Sequence, residues 1–341
     1  MRASIRATLR TEVIGEVGGF AGLFDISAAR AMSRPILATS TDGVGTKIAV
    51  ARAMDIHHTI GVDLVAMVID DLVVCGAEPL FMTDYIATGA VDPERIARIV
   101  EGISTGCIQA GCTLIGGETA EHPGLMAPDE YDLAGAGVGI VDADAMLGPH
   151  RVYSGDAVVA MASSGLHSNG YSLARMVLLG VGAPGLNGHV PEFSCSVGEE
   201  LLAPTRIYAQ DCLALVRTCE IHALSHITGG GIAANLARVL PVSLAADIDR
   251  STWCPPGIFT SIARIGDVDR SYMEQAFNMG IGMIAVVGSD HANAAIDLLR
   301  DRGVTAWQCG LVRTRTAEDV GDATAKGGLG GVVTLRGDFA N

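Results

Sequence analysis

An α/β fold of the α+β type, divided into two domains, is what the sequence predicts, on three observations. Segments patterned as strands and as helices alternate along the whole chain. A polar stretch rich in turn residues, "DADAMLGPHRVYSGD" at 142–156, interrupts that series near the middle. The 341 residues are 49% apolar but only 4% aromatic, so a large core has to be built from Ala, Val, Ile and Leu. That length suits about two domains, placed at 1–148 and 149–341.

The elements follow in order. Ile36–Thr41 reads as a strand, Asp63–Val74 as a helix and Leu80–Thr88 as a second strand. Pro93–Ala110 is helical, with Asp92 as N-cap and Pro93 at the one helical position where a missing N–H costs nothing. Short strands follow at Thr113–Ile115 and Leu133–Val141. Beyond the break come a strand at Ala157–Ala162, a helix from Asn169, and a helix from Val197 to Val216. A strand at His222–Ile227, a helix from Gly231, a strand at Gly282–Val287, a helix at His291–Arg302 and a last strand complete the series. The Gly-rich tail, "KGGLGGVVTLRGDFAN", is expected to be partly mobile.

A formal charge of −15 argues against a nucleic-acid surface, which needs a basic excess to displace counterions. It leaves room for a small phosphorylated ligand held by helix N-termini, a lysine or a metal. No apolar run reaches the roughly 20 residues of a membrane span. The N-terminus has no signal-peptide core. The eight cysteines are scattered without CxxC spacing, as expected of reduced thiols in a cytoplasmic protein.

Five stretches bear on chemistry. In "DLVAMVIDDLVVCGA" (63–77), Asp70 falls about 20° and Asp71 about 80° from Asp63 around a helix, a stripe of three acids on an otherwise apolar segment. A solvated face would normally carry other polar residues too. Three carboxylates in apolar surroundings repel unless a cation sits among them, and hard oxygen ligands suit Mg²⁺. "STDGVGTK" (40–47) ends a strand on Asp42 and places Lys47 beyond a glycine turn. It lacks P-loop spacing, and Asp-Gly is also an ordinary turn. "GGETAE" (116–121) offers Gly116 and Gly117 for close backbone approach, with Glu118 and Glu121 beside them; a loop with solvated glutamates fits equally. "SSGLHSNGYSL" (163–173) and "SHITGGGIAANL" (225–236) each join a strand to a helix through polar residues and glycine, leaving helix N-termini suited to an anion. Capped turns fit both, although a triple glycine costs entropy that a cap does not require.

Taken together, these motifs resemble the phosphoribosylformylglycinamidine cyclo-ligases, the aminoimidazole ribonucleotide synthetases of purine biosynthesis. The resemblance runs from "TEVIGEVGGF" through "TDGVGTK", "IGVDLVAM", "DLVVCGAEPLF", "DYIATG", "GGETAEHPG", "SSGLHSNGYSL", "LLAPTRIY" and "ITGGG" to "FNMGIGM". It implies an aminoimidazole-ribonucleotide-synthetase-like fold, with an N-terminal sheet pairing across a homodimer and a C-terminal α/β sandwich. It implies a small-molecule substrate, formylglycinamidine ribonucleotide, with ATP and Mg²⁺ as cofactors. The residues expected to serve that chemistry are Asp42 and the acidic stripe of Asp63, Asp70 and Asp71 for the metal, and Asp42, Lys47, Asp63 and Gly116–Glu118 for ATP. For the substrate it implies Ser164, Ser168, Asn169 and Thr228, Gly229, Gly230, Gly231. Asp42, Lys47, Asp71, His167 and His226 are its catalytic candidates, the histidines as proton carriers; a core or capping histidine is the rival reading. Two departures stand out. The family's pattern has Asn at the position of Asp70. Its N-terminal arm, with a short acidic glycine-containing segment, has no match in Met1–Arg10, so a weaker hold on ATP is expected. The alternatives are a kinase-like relative using the same ATP site and an inactive nucleotide-binding scaffold.

Overall fold

The computed structural model describes residues 1–15 and 18–340; Glu16 and Val17, inside the Gly-rich 15–25 stretch, and Asn341 lie outside the described residues. The chain forms two compact units. The first comprises residues 1–146 together with 204–210, and the second comprises 147–203 and 211–341. The return of 204–210 to the first unit departs from the simple division expected near residue 148.

The first unit contains α1 (Arg2–Arg6), a short hairpin of β1 (Val13–Ile14) and β2 (Leu23–Phe24), then β3 (Pro35–Gly43), α2 (Ile48–Met54), α3 (His58–Val73), β4 (Glu78–Thr88), α4 (Pro93–Ala110), β5 (Thr113–Glu121) and β6 (Tyr131–Asp142). Its four-stranded sheet has the order β3-β6-β4-β5, antiparallel except for the parallel pair β4–β5. Helix α3 lies on β3, β6 and β4, and α4 lies against α3 and β5.

Helix α4 starts as expected: the Asp92 side chain accepts the Glu94 and Arg95 amides, and Gly111 ends it in the left-handed region at φ 74°. Helix α3 begins five residues earlier than Asp63, and nearly all of its residues are buried. Two-sided burial demands close approach. A Cβ on Gly102 of α4 would lie 1.9 Å from the His58 carbonyl oxygen, and one on Gly61 of α3 would lie 2.3 Å from the Ile103 nitrogen.

The second unit contains β7 (Ala157–Ala162), α5 (Tyr171–Leu179), α6 (Val197–Leu201), α7 (Ala209–Thr218, whose first two residues belong to the first unit), β8 (Ile221–His226), α8 (Gly231–Arg238), β9 (Leu244–Asp249), α9 (Gly257–Gly266), α10 (Arg270–Ala276), β10 (Ile281–Val287), α11 (Ala292–Asp301), β11 (Ala306–Thr314) and β12 (Val332–Arg336). The sheet order is β12-β9-β11-β7-β10-β8, with only β12–β9 parallel. Strands β7 and β10 are almost wholly buried, which fits their continuous apolar runs; β8 is buried along its whole length too, although it carries His222, Ser225 and His226.

Three expectations need correction. The helix expected over 197–216 is broken into α6 and α7, because Pro204 cannot continue the ladder and biases its predecessor away from helix. The strand expected to stop at Ile115 runs on to Glu121, since 116–121 pairs in parallel with Thr83–Thr88. The tail expected to be partly mobile supplies β12, an edge strand on β9.

The α3–α4 contact makes a direct prediction. Gly102→Ala, which drives a methyl into the His58 carbonyl, lowers unfolding stability by about 1–3 kcal/mol. Gln109→Ala on the exposed face of the same helix stays within about 0.5 kcal/mol. Urea denaturation midpoints of the two variants check this.

Candidate active site

The sheet of the first unit places one row of residues across four strands. Asp42 on β3 pairs with Gly135 on β6, Gly135 pairs with Asp84 on β4, and Asp84 pairs with Gly117 on β5. Directly paired residues project from the same face. Asp42 and Asp84 therefore point the same way, two strand spacings or about 10 Å apart along the backbone, with no side chain between them. Gly117 is required by its neighbour: a Cβ there would meet the Asp84 Oδ1 at 1.7 Å.

Asp84, Thr83 and the segment Gly116–Thr119 line a cavity of about 340 Å³ whose other wall is the N-terminal segment, including Ile5, Leu9, Ile14 and Leu23. Burial pushes the Asp84 carboxyl up to about 6. The structure thus brings Gly116, Gly117 and Glu118 together with an acid that sequence reasoning did not select. A lone acid in a strand has no periodic partner to mark it; the available signal was its place in "DYIATG".

The acidic stripe is resolved differently from expectation. Asp63 and Asp70 are fully buried, while Asp71 is exposed. Asp63 Oδ1 accepts the Thr205 amide at 2.8 Å, the Thr205 hydroxyl at 2.5 Å and the Lys47 ammonium at 2.9 Å. The Tyr208 amide donates to both oxygens of Asp70, at 3.0 and 3.1 Å. These two carboxylates hold the backbone of 204–208. Among the described residues, no group of three or more His, Cys, Asp or Glu gathers to hold a metal, so the four-acid metal cluster is not formed. Lys47 is fully buried against Asp63, not extended toward a polyphosphate. Its ammonium is pushed below the usual lysine range by burial, which outweighs the opposing effect of Asp63.

The remaining donors still suit a metal that arrives with a nucleotide. Mg²⁺ keeps several waters and is commonly held by one or two carboxylates plus phosphates. Asp84, desolvated, and Asp42, in the same row, are hard oxygen donors of that kind.

In the second unit the two polar loops are joined. Asn169 Oδ1 accepts the Gly229 amide at 3.0 Å. Helix α5 begins after Gly170 and α8 after Gly230, neither with a side-chain cap. Ser164, Ser168, Asn169 and Thr228–Gly231 thus belong to one neighbourhood. The glycine triplet has a conformational reason: Gly230 and Gly231 have φ of 99° and 69°, and a Cβ on Gly231 would sit 1.7 Å from the Glu274 carbonyl oxygen. His167, buried at φ 62°, accepts the Ser164 amide at Nε2, so its proton is on Nδ1. His226 is buried at the end of β8. The Lys326 ammonium donates to the Thr228 hydroxyl at 3.3 Å, a cation that the sequence reading passed over in the Gly-rich tail.

Comparison with known proteins supplies the family. Residues 25–141 match the model of the AIR synthase related protein N-terminal domain, and residues 154–323 match that of its C-terminal domain. The chain belongs to the AIR synthase related family. Its curated relatives include proteins named phosphoribosylformylglycinamidine cyclo-ligase. The one from Bacillus cytotoxicus is 47% identical over 310 residues, covering 91% of this chain and 89% of the relative. The one from Trichlorobacter lovleyi is 45% identical, covering 91% and 88%. Among solved structures, thiamine-monophosphate kinase from Stenotrophomonas maltophilia superposes with a TM-score of 0.66 at 20% identity, covering 99% of this chain and 96% of that one. The hydrogenase maturation protein HypE from E. coli gives 0.63 at 18% identity, covering 98% and 92%. At those identities the likeness concerns the fold. In this member of the AIR synthase related family, the carboxylate row lies within residues 42–135, inside the matched N-terminal domain, while much of the cavity beside it is lined by residues 1–23, ahead of the match.

The raised Asp84 carboxyl predicts a pH dependence. Between about pH 4 and 6 the folded protein holds a proton that the unfolded chain has released. Stability therefore falls as pH rises through that window and stays lower above it. Asp84→Asn removes the decline and gains up to about 3 kcal/mol at pH 7, since each pH unit across that window is worth roughly 1.4 kcal/mol. Urea denaturation at pH 4.5 and pH 7 without divalent cations compares the two proteins.

Proposed function

We propose that this chain is an ATP-dependent cyclo-ligase that converts formylglycinamidine ribonucleotide into 5-aminoimidazole ribonucleotide. The observation that carries the proposal is identity of 45–47% to cyclo-ligases over about nine-tenths of the chain. The intact carboxylate row beside a cavity supports it.

An amide oxygen is a poor leaving group. In the proposed reaction it attacks the γ-phosphorus of ATP, and ADP departs. An amidine nitrogen then attacks the activated carbon, closes the imidazole ring and expels phosphate with the former amide oxygen, and the ring nitrogen loses a proton. Asp42 and Asp84 would hold Mg²⁺, with exposed Asp71 as a further candidate ligand. When bound, the ion supplies charge neutralisation to the transferring phosphoryl group. Gly116 and Gly117 let backbone approach the nucleotide, and Glu118 lies at the same cavity wall. In the second unit, the uncapped N-termini of α5 and α8 supply amide donors for the ribose phosphate. His167 holds a proton on Nδ1 and is a candidate carrier for the ring-closing nitrogen, with His226 the second candidate.

The protein would work as a homodimer in the cytoplasm. Among the described residues, no helix covers one face of the first unit's sheet. Leu37 is 62% and Tyr85 41% exposed, and Thr39, Thr41, Thr83 and Ala134 are exposed on the same strands. A partner copy would cover that face. No described helix is long and apolar enough to cross a membrane.

Incubation with formylglycinamidine ribonucleotide, ATP and Mg²⁺ is expected to yield the aminoimidazole product with one ADP per turnover. ATP turnover without the imidazole would reject the assignment. Asp84→Asn and Asp71→Asn are expected to lower kcat by about a hundredfold or more while far-UV circular dichroism is unchanged. Light scattering at micromolar concentration should give a dimer, and Leu37→Asp should shift it toward monomer.

A further inference from the structure

The buried contact among Lys47, Asp63 and Thr205 has a role separate from holding the nucleotide. Asp63 Oδ1 receives three donors, from Lys47 and from the amide and hydroxyl of Thr205, and both charged side chains are fully buried. Lys47 closes the turn that begins at Asp42, and its neighbours Val44 and Ile48 are also buried. Thr205 belongs to 204–208, which Asp70 holds three residues further on through the Tyr208 amide. The Asp63 carboxylate therefore fastens the turn that carries Asp42 and the 204–208 segment to the same point on α3.

We propose that Asp63 and Lys47 are a pair of positioning residues, Lys47 fixing the Asp42 turn and Asp63 joining it to Thr205, and that neither touches the nucleotide or its metal. The proposal deepens the cyclo-ligase reading and rests on it for the role of Asp42. Its physical basis is the asymmetry of buried ion pairs. Removing one partner leaves an uncompensated charge in the interior, whereas replacing both with neutral groups of similar shape is often tolerated. In Asp63→Asn the amide oxygen still accepts from Thr205, and in Lys47→Met the side chain still fills the stem's space. A positioning pair therefore predicts that the double variant is better than either single one. A phosphate-binding lysine or a metal-binding aspartate predicts the opposite.

The test is a double-mutant cycle over Lys47→Met and Asp63→Asn, with Thr205→Val and Thr205→Ser alongside. Affinity for a non-hydrolysable ATP analogue with Mg²⁺ is measured by calorimetry at a temperature where every variant is folded. ATP KM and kcat are measured in parallel. Each single variant is expected to weaken analogue binding at least tenfold, and the double variant to return within threefold of the native protein. Thr205→Val should weaken it severalfold and Thr205→Ser should restore it. Additive losses in the double variant, or a raised Mg²⁺ requirement in Asp63→Asn that Lys47→Met lacks, overturn the proposal. If a single variant fails to fold, a folded double variant with near-native affinity supports the pairing, and a double variant that also fails to fold overturns it. The calorimetric cycle needs no turnover. A native protein that binds the analogue but makes no aminoimidazole product refutes the cyclo-ligase reading and leaves the pairing to be judged by the cycle.

Discussion

Helix α3 packs with almost no clearance between the four-stranded sheet and α4, and that double burial sets the terms for the first unit. Side chains as small as alanine are too large where Gly61 meets α4 and where Gly102 meets His58. A helix buried on two sides carries a carboxylate at low cost only where a partner meets it, because an unpaired buried carboxylate bears its full desolvation cost. Asp63 and Asp70 meet that condition through main-chain amides of 204–208. Such a contact ties together segments more than 130 residues apart in sequence, since Tyr208 and Asp70 are separated by 138 positions.

The same constraint explains which parts of the site could be read from sequence. Helix α4 announces itself locally, through an N-cap aspartate, a first-turn proline and a closing glycine, and its ends were legible to the residue. The acids of α3 were legible only as angles. Periodicity puts all three on one stripe, Asp70 about 20° and Asp71 about 80° from Asp63, but it does not say which side faces solvent. The packing decides that: Asp70 is fully buried and its neighbour Asp71 is exposed. Local patterning also misled at 116–121, where paired glycines signal a turn. Here they are strand residues kept small because Asp84 leans over Gly117. The row Asp42–Gly135–Asp84–Gly117 joins four strands from distant parts of the sequence, so no window of sequence contains it.

In the second unit the glycine triplet illustrates how conformation and ligand binding compete as explanations. Its entropic cost is met by a backbone requirement, two left-handed residues and a carbonyl contact that no Cβ could share. The triplet by itself therefore no longer argues for a ligand. What argues for one is the arrangement around it: two helix N-termini without side-chain caps, with loops joined through Asn169. Helix N-termini of this kind are stabilised by an anion.

The acidic balance of the chain acquires a local meaning from this geometry. A carboxylate row cleared of side chains by glycine repels bare phosphate, so in the proposed site a nucleotide would approach Asp42 and Asp84 with a cation between them. Desolvation strengthens that condition, because it already holds Asp84 toward its protonated form in the absence of counter-charge. A cation would reverse the balance by favouring the ionised acid, so its binding and proton release from Asp84 are coupled. Lys47 cannot substitute for that cation while its ammonium is buried against Asp63. On the proposed reading, the lysine in the glycine turn stabilises the turn, and the charge needed by a polyphosphate would come with the nucleotide itself.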